Sequence, residues 1–152
     1  PLYDGLNYHP INVETLLAIP EGSPLAKHDI LTPELLADEP FIVMGPDHMS
    51  HRRIREAFHN AGIPLRIRVH SHLFKNLLSF VKEGMGVSII DRFGLDFDNE
   101  GGFITRPFEP AIKADMAVIT SKTRPMSAIG KEFEKLLLDE LQPYIIKDDT
   151  KK

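Results

Sequence analysis

Four of the seven histidines in this 152-residue chain sit in two short polar stretches, each with a serine. Pro46–His51 holds His48, Met49, Ser50 and His51, and His70-Ser71-His72 follows some twenty residues on. Hydroxyls and imidazoles ahead of helix starts suit the holding of a carboxylate or similar small anion, because unpaired N–H groups and the positive dipole end point the same way. A third polar stretch, Asp91-Arg92-Phe93, adds Asp91 and Phe93 as candidate ligand contacts. A competing reading is that Ser50 and Ser71 only cap their helices.

Other chemistries are less well supplied. His70 and His72 share a face if a strand persists that far, but only Asp47 and Asp91 stand nearby as acids. A zinc site needs three or four ligands in fixed geometry, so loop histidines bonded to solvent, ligand or backbone are the expectation, with no metal. With no Cys there is no thiolate nucleophile or disulfide. Gly84-Met85-Gly86 lies between a helix and a strand, the reverse of a dinucleotide fingerprint. No Gly-x-Ser-x-Gly elbow or Walker loop occurs. Neither a catalytic constellation nor a cofactor is expected.

The elements that must position these residues follow from periodicity. Residues 11–19 read as a strand, after a turn-rich linker or severed end over 1–10. Thr32-Pro33-Glu34 predicts a short helix, with a hydroxyl cap and Pro at its first position. The apolar run Phe41–Met44 predicts an interior parallel strand. Ser50 then caps a helix bearing Ile54, Phe58 and Ala61 and stopped by Gly62. Leu65 to His70 alternates as a strand, and 72–83 forms a helix with Leu73, Leu77 and Val81 on one stripe. Val87–Ile90 is the next buried strand. Helices alternating with strands from 32 to 90 argue for an α/β fold with a parallel sheet. Extended segments over 102–106 and 115–120 precede a last helix from Ser127 to about Leu141, with Ile129, Phe133, Leu136 and Leu137 inward. Arg52, Arg53 and Arg55 read as a solvated basic face.

Composition narrows the partners. A formal net charge of −4 leaves no strongly basic face for non-specific nucleic-acid binding. No apolar run approaches the roughly 18–20 residues of a membrane span.

The order of several motifs resembles one family. LLAIPEGSPL (16–25), LTPELLADEPF (31–41), Ser50-His51-Arg52-Arg53, VKEGMGV (81–87), Arg106-Pro107-Phe108 and Arg124-Pro125-Met126-Ser127 are similar, in order and spacing, to the effector-binding domain of LysR-type bacterial transcriptional regulators. The resemblance covers about residues 11–141. It implies a Rossmann-like lobe of the type 2 periplasmic-binding-protein fold, with hinge strands and part of a second lobe. On that reading, residues 1–19 end the first lobe and make the first hinge strand, and 20–112 form the second effector-binding lobe. Residues 113–146 return as a hinge strand and C-terminal helix, and 147–152 are a disordered tail. The family's winged helix-turn-helix, its route to promoter DNA, is not in this stretch. After Ile90 the family commonly has Pro, where this chain has Asp91-Arg92.

The expected function is therefore ligand sensing: a small effector, amino-acid-like or another carboxylic compound, held between lobes of a cytoplasmic, homo-oligomeric regulator. The alternative implied by the same fold is the solute-binding protein of a transporter. The apolar stripe of the last helix adds an expectation of self-association.

Overall fold

Alternation along three strands divides one core into two faces. The structure, a computed structural model, describes residues 5–96 and 101–146. In β2 (Phe41–Met44), Phe41 and Val43 enter one apolar cluster and Ile42 the other. In β4 (Ser88–Asp91), Ile89 and Ile90 divide the same way. So do Leu17 and Ile19 against Ala18 in β1 (Leu6–Pro20). Successive strand side chains point to opposite faces, so a strand with both faces buried must be apolar throughout. Helix α1 (Met49–Asn60) covers one face with Ile54, Ala57 and Phe58, and α2 (Phe74–Lys82) covers the other with Leu77, Leu78 and Val81.

The sheet is mixed. β2 pairs in parallel with β3 (Ile67–Ser71), setting Met44 opposite Ser71. A parallel bridge from Phe41 to Val87 ties β2 to the segment leading into β4, and the Ile42 amide donates to the Val87 carbonyl at 2.9 Å. β4 then pairs antiparallel with β1, and β1 antiparallel with β5 (Phe103–Pro107). The parallel order expected over residues 32–90 holds for β3, β2 and β4, while β1 and β5, whose direction the sequence leaves open, join antiparallel. An apolar run shows that a strand is buried but carries no information about its direction.

Contacts divide the chain into two units, one of Thr15–Lys113 and one of Pro1–Glu14 with Ala114–Lys152. Everything above from Thr15 onward lies in the first. In the second, the early part of β1 pairs with β6 (Lys113–Ser121), so residues 6–10, read as a linker, are strand. The Ile146 amide donates to Asn12 at 2.8 Å, and Asn7 Nδ2 donates to the Thr120 hydroxyl at 3.2 Å. Here α4 (Ala128–Leu141) starts at Ser127, whose hydroxyl accepts from the Gly130 amide. Its apolar residues were expected inward, but Ile129 is 83% exposed, Phe133 64% and Leu136 54%. The expected tail over 147–152 lies outside the described residues.

Two local expectations need correction. Residues 33–38 form turns rather than a helix, with amides of Leu36 and Glu39 reaching back three residues. Pro40 follows too closely for a full second turn of helix. Thr32 serves the Glu34 carboxylate instead, holding it below the ordinary carboxylate value. The short helical turn lies earlier, at Pro24–Lys27, where Ser23 caps the Leu25 amide.

Candidate functional site

Parallel pairing brings the carboxyl ends of β2, β3 and β4 to one edge of the sheet. The Gly45 amide donates to the Ser71 carbonyl at 3.0 Å, locking the first two exits together. Asp91 ends β4 on the other side of β2. Each stretch singled out for its chemistry therefore leaves the sheet at this edge.

The side chains there divide into scaffold and surface. His48, not Ser50, caps α1: its Nδ1 accepts from the Ser50 amide at 3.2 Å, with the Ser50 hydroxyl 2.7 Å away. Ser50 lies one residue inside the helix, where its hydroxyl cannot take the capping position. His51 is buried and its Nδ1 lies 2.9 Å from the Met44 carbonyl. A carbonyl only accepts, so this nitrogen carries the proton and the tautomer is fixed. His70 is exposed and stacks on His51, centroids 5.3 Å apart and planes within 10°. Ser71 is buried; its hydroxyl accepts from the Leu73 amide at 3.1 Å and donates to the Leu73 carbonyl at 2.9 Å. Ser71 thus shapes the turn rather than capping α2, whose cap position is Leu73, 64% exposed and off its expected core stripe.

The open surface is a pocket of about 300 Å³ lined by Met44, Gly45, Asp47, His48 and His72. Met49 beside it is exposed, and Phe93, in the short helix α3 (Arg92–Asp96), is half-buried. Met44 and Gly45 were not among the expected contacts. A Cβ on Gly45 would stand 3.2 Å from the His72 ring, and sequence spacing carries no sign of that approach. Among the described residues, no group of three or more His, Cys, Asp or Glu side chains is placed to share a metal ion.

Arg53 departs from the solvated face expected of it. It is half-buried and its guanidinium donates to the Lys113 carbonyl. Thr15 donates to the neighbouring Ile112 carbonyl, so both carbonyls before β6 leaves this unit are bonded to its side chains.

Burial pushes the Asp91 carboxyl above the ordinary aspartate value of 3.8, opposed by the Gly94 amide, its own backbone and the charge of His48. A carboxyl raised on folding holds its proton longer in the folded state, so its contribution to stability falls as pH rises through that window. Asp91→Asn keeps an oxygen for Gly94 and removes the charge. It is expected to melt above the parent at pH 7, with the gap closing as pH falls to 3.8 and below. A gap that is constant with pH, or reversed, would refute this.

A family model described as LysR substrate binding domain matches residues 2–142. The regulatory protein NocR of Agrobacterium tumefaciens (strain T37) is 28% identical over 145 residues, covering 93% of this chain and 48% of NocR. The chain thus spans about half the length of this relative. Among solved structures, the Synechocystis PCC6803 CcmR regulatory domain in complex with 2-PG has a TM-score of 0.76 at 20% identity, covering 93% of this chain and 70% of that one. The QuiR effector-binding domain in complex with shikimate has a TM-score of 0.69 at 19% identity, covering 93% and 68%. At those identities the likeness establishes the fold, which is the type 2 periplasmic-binding-protein-like α/β fold expected from the sequence.

Proposed function

We propose that this chain, which belongs to the LysR substrate-binding domain family, senses a small anionic, carboxylic effector for a LysR-type transcriptional regulator. The observation that carries this reading is the meeting of the β2 and β3 exits in one pocket beside the capped start of α1, at the sheet edge where β4 also ends. In open α/β sheets this edge is where ligands bind, and α1 is long enough for its dipole to favour an anion there. His48, Met49, Ser50, His51, His70, Ser71, His72, Asp91 and Phe93 form the proposed site, with His51 and Ser71 acting from beneath it.

The likeness to NocR supports a regulator over the solute-binding protein of a transporter. The regulator is cytoplasmic and not an enzyme, and it reaches promoter DNA through a separate helix-turn-helix domain. No helix among the described residues is long and apolar enough to cross a membrane. The exposed Ile129, Phe133 and Leu136 of α4 support homo-oligomer formation. The effector acts by preferring one arrangement of the regulator, since equal affinity for both would shift nothing.

The test uses a carboxylate ligand found by thermal-shift screening, titrated against the parent and Ser50→Ala. A lost hydrogen bond to a charged ligand should weaken binding about tenfold, or about 1.4 kcal/mol. Parent affinity in both Ser50→Ala and Ser71→Ala would place the site elsewhere.

A further inference from the structure

Arg53 is the second of three closely spaced arginines on α1, yet it is half-buried and donates to the Lys113 carbonyl, sixty residues away. Lys113 is the residue at which the chain leaves its unit, and Thr15 is the residue at which it enters. The Thr15 hydroxyl donates to the Ile112 carbonyl at 2.5 Å, so the two crossings are tied to each other as well as to α1. Resting on the proposed sensing role, we propose that Arg53 and Thr15 are positioning residues that couple occupancy of the effector site to both crossings.

The geometry supports this at each step. Both ties begin at the sheet edge that holds the site. Helix α1 starts at Met49, just after the pocket residue His48, and Arg53 follows Met49 by one turn on the same face. Thr15 is paired across the β1–β4 ladder with Asp91, the last residue of β4. The element between pocket and crossing is stiff. Helix α1 runs unbroken from Met49 to Asn60, and its Ile54, Ala57 and Phe58 lie in the same apolar cluster as Ile112. A packed helix passes a displacement of its first turn to the next instead of absorbing it. The acceptors, finally, are two consecutive backbone carbonyls. Bonds to backbone fix the path of the chain itself, and a guanidinium makes the stronger, charge-assisted kind. Ile112 is buried, so its side chain fixes the residue before the exit and Arg53 fixes the residue at it.

A purely structural anchor makes a different forecast. Removing it would lower stability, but a ligand at the pocket would leave the crossings unmoved in the parent.

The experiment titrates parent, Arg53→Met and Thr15→Val with acetate, succinate and benzoate, and follows amide chemical shifts. In the parent, a probe that shifts residues 45–51 should also shift 12–16 and 112–116. In Arg53→Met the response at 112–116, relative to that at 45–51, should fall at least about threefold, with pocket affinity changed by less than that. Thr15→Val should lower the relative response at 12–16 in the same way, and Thr15→Ser, which returns the hydroxyl, should restore it. Arg53→Gln, whose amide ends short of the guanidinium position, replaces Arg53→Met if that variant does not fold. Pocket shifts in the parent with silent crossings, or relative responses unchanged in the variants, would overturn the coupling and leave the site standing. No shift at 45–51 with any probe would remove the sensing site and this inference together.

Discussion

Phe58→Ala is expected to destabilise the protein by about 3–5 kcal/mol, the usual range for emptying a buried aromatic position. Phe58 is 1% exposed and is the side chain by which α1 grips the sheet. Its ring meets Phe41 of β2 edge-on, centroids 5.1 Å apart, and stacks on Phe108 at 6.3 Å with planes 9° apart. Truncation removes both ring contacts and leaves a void between rigid neighbours that cannot collapse on it. Since α1 also carries His48 and Ser50, the loosened helix should lose ligand response at temperatures where the parent still responds. Urea unfolding measures the effect, with Phe58→Leu as a control expected to lose less than half as much. A cost below about 1.5 kcal/mol for Ala would mean that α1 is not seated as described.

Gly86→Ala is expected to cost about 2–4 kcal/mol, from overpacking combined with an unfavourable backbone conformation. An added Cβ would stand 2.2 Å from the Pro40 carbonyl oxygen and 2.9 Å from its carbon, with φ at +155°. Those atoms are backbone, and the Pro40 oxygen also accepts from the Val87 amide at 2.9 Å. Moving it aside would pull β2 away from the start of β4, the junction that brings Asp91 beside the β2 exit. Gly84 provides the comparison. It has φ +68° and nothing within 4 Å of the position an alanine methyl would take, so Gly84→Ala carries only the left-handed penalty of roughly 1–2 kcal/mol. Equal losses for the two variants would show that the Pro40 contact is not tight.

These positions show which parts of the fold were legible in the sequence. Phe41–Met44, Val87–Ile90 and the helix bearing Ile54 and Phe58 were readable because burial imposes a period on side chains. Gly62 was readable as a helix stop for a local reason of its own, and it takes a positive φ of 72°. The antiparallel placement of β1 and β5 was not, since strand direction depends on where the chain has to go next. Helix α4 was readable as a helix, from Ser127 and its apolar spacing, but not as an exposed one: periodicity shows a face and not what covers it.

The candidate site was legible at the level of segments. Three polar stretches after apolar runs had to converge if the strands were parallel, and they do. Roles within those stretches were less readable. That His48 caps and Ser50 does not, that Ser71 spends its hydroxyl on Leu73, and that His51 is buried against Met44 all depend on backbone geometry within a single turn. Arg53 was misread because its partner, the Lys113 carbonyl, lies sixty residues away.

The claim that these three strand exits form the effector site is tested most directly by amide hydrogen exchange. The protein would be measured alone and with a saturating small carboxylate identified by thermal-shift screening. Slowed exchange is expected in residues 45–51, 71–74 and 91–94 together, because one ligand should bridge all three exits. Protection confined to other segments, such as α4 or the outer face of α1, would contradict the account.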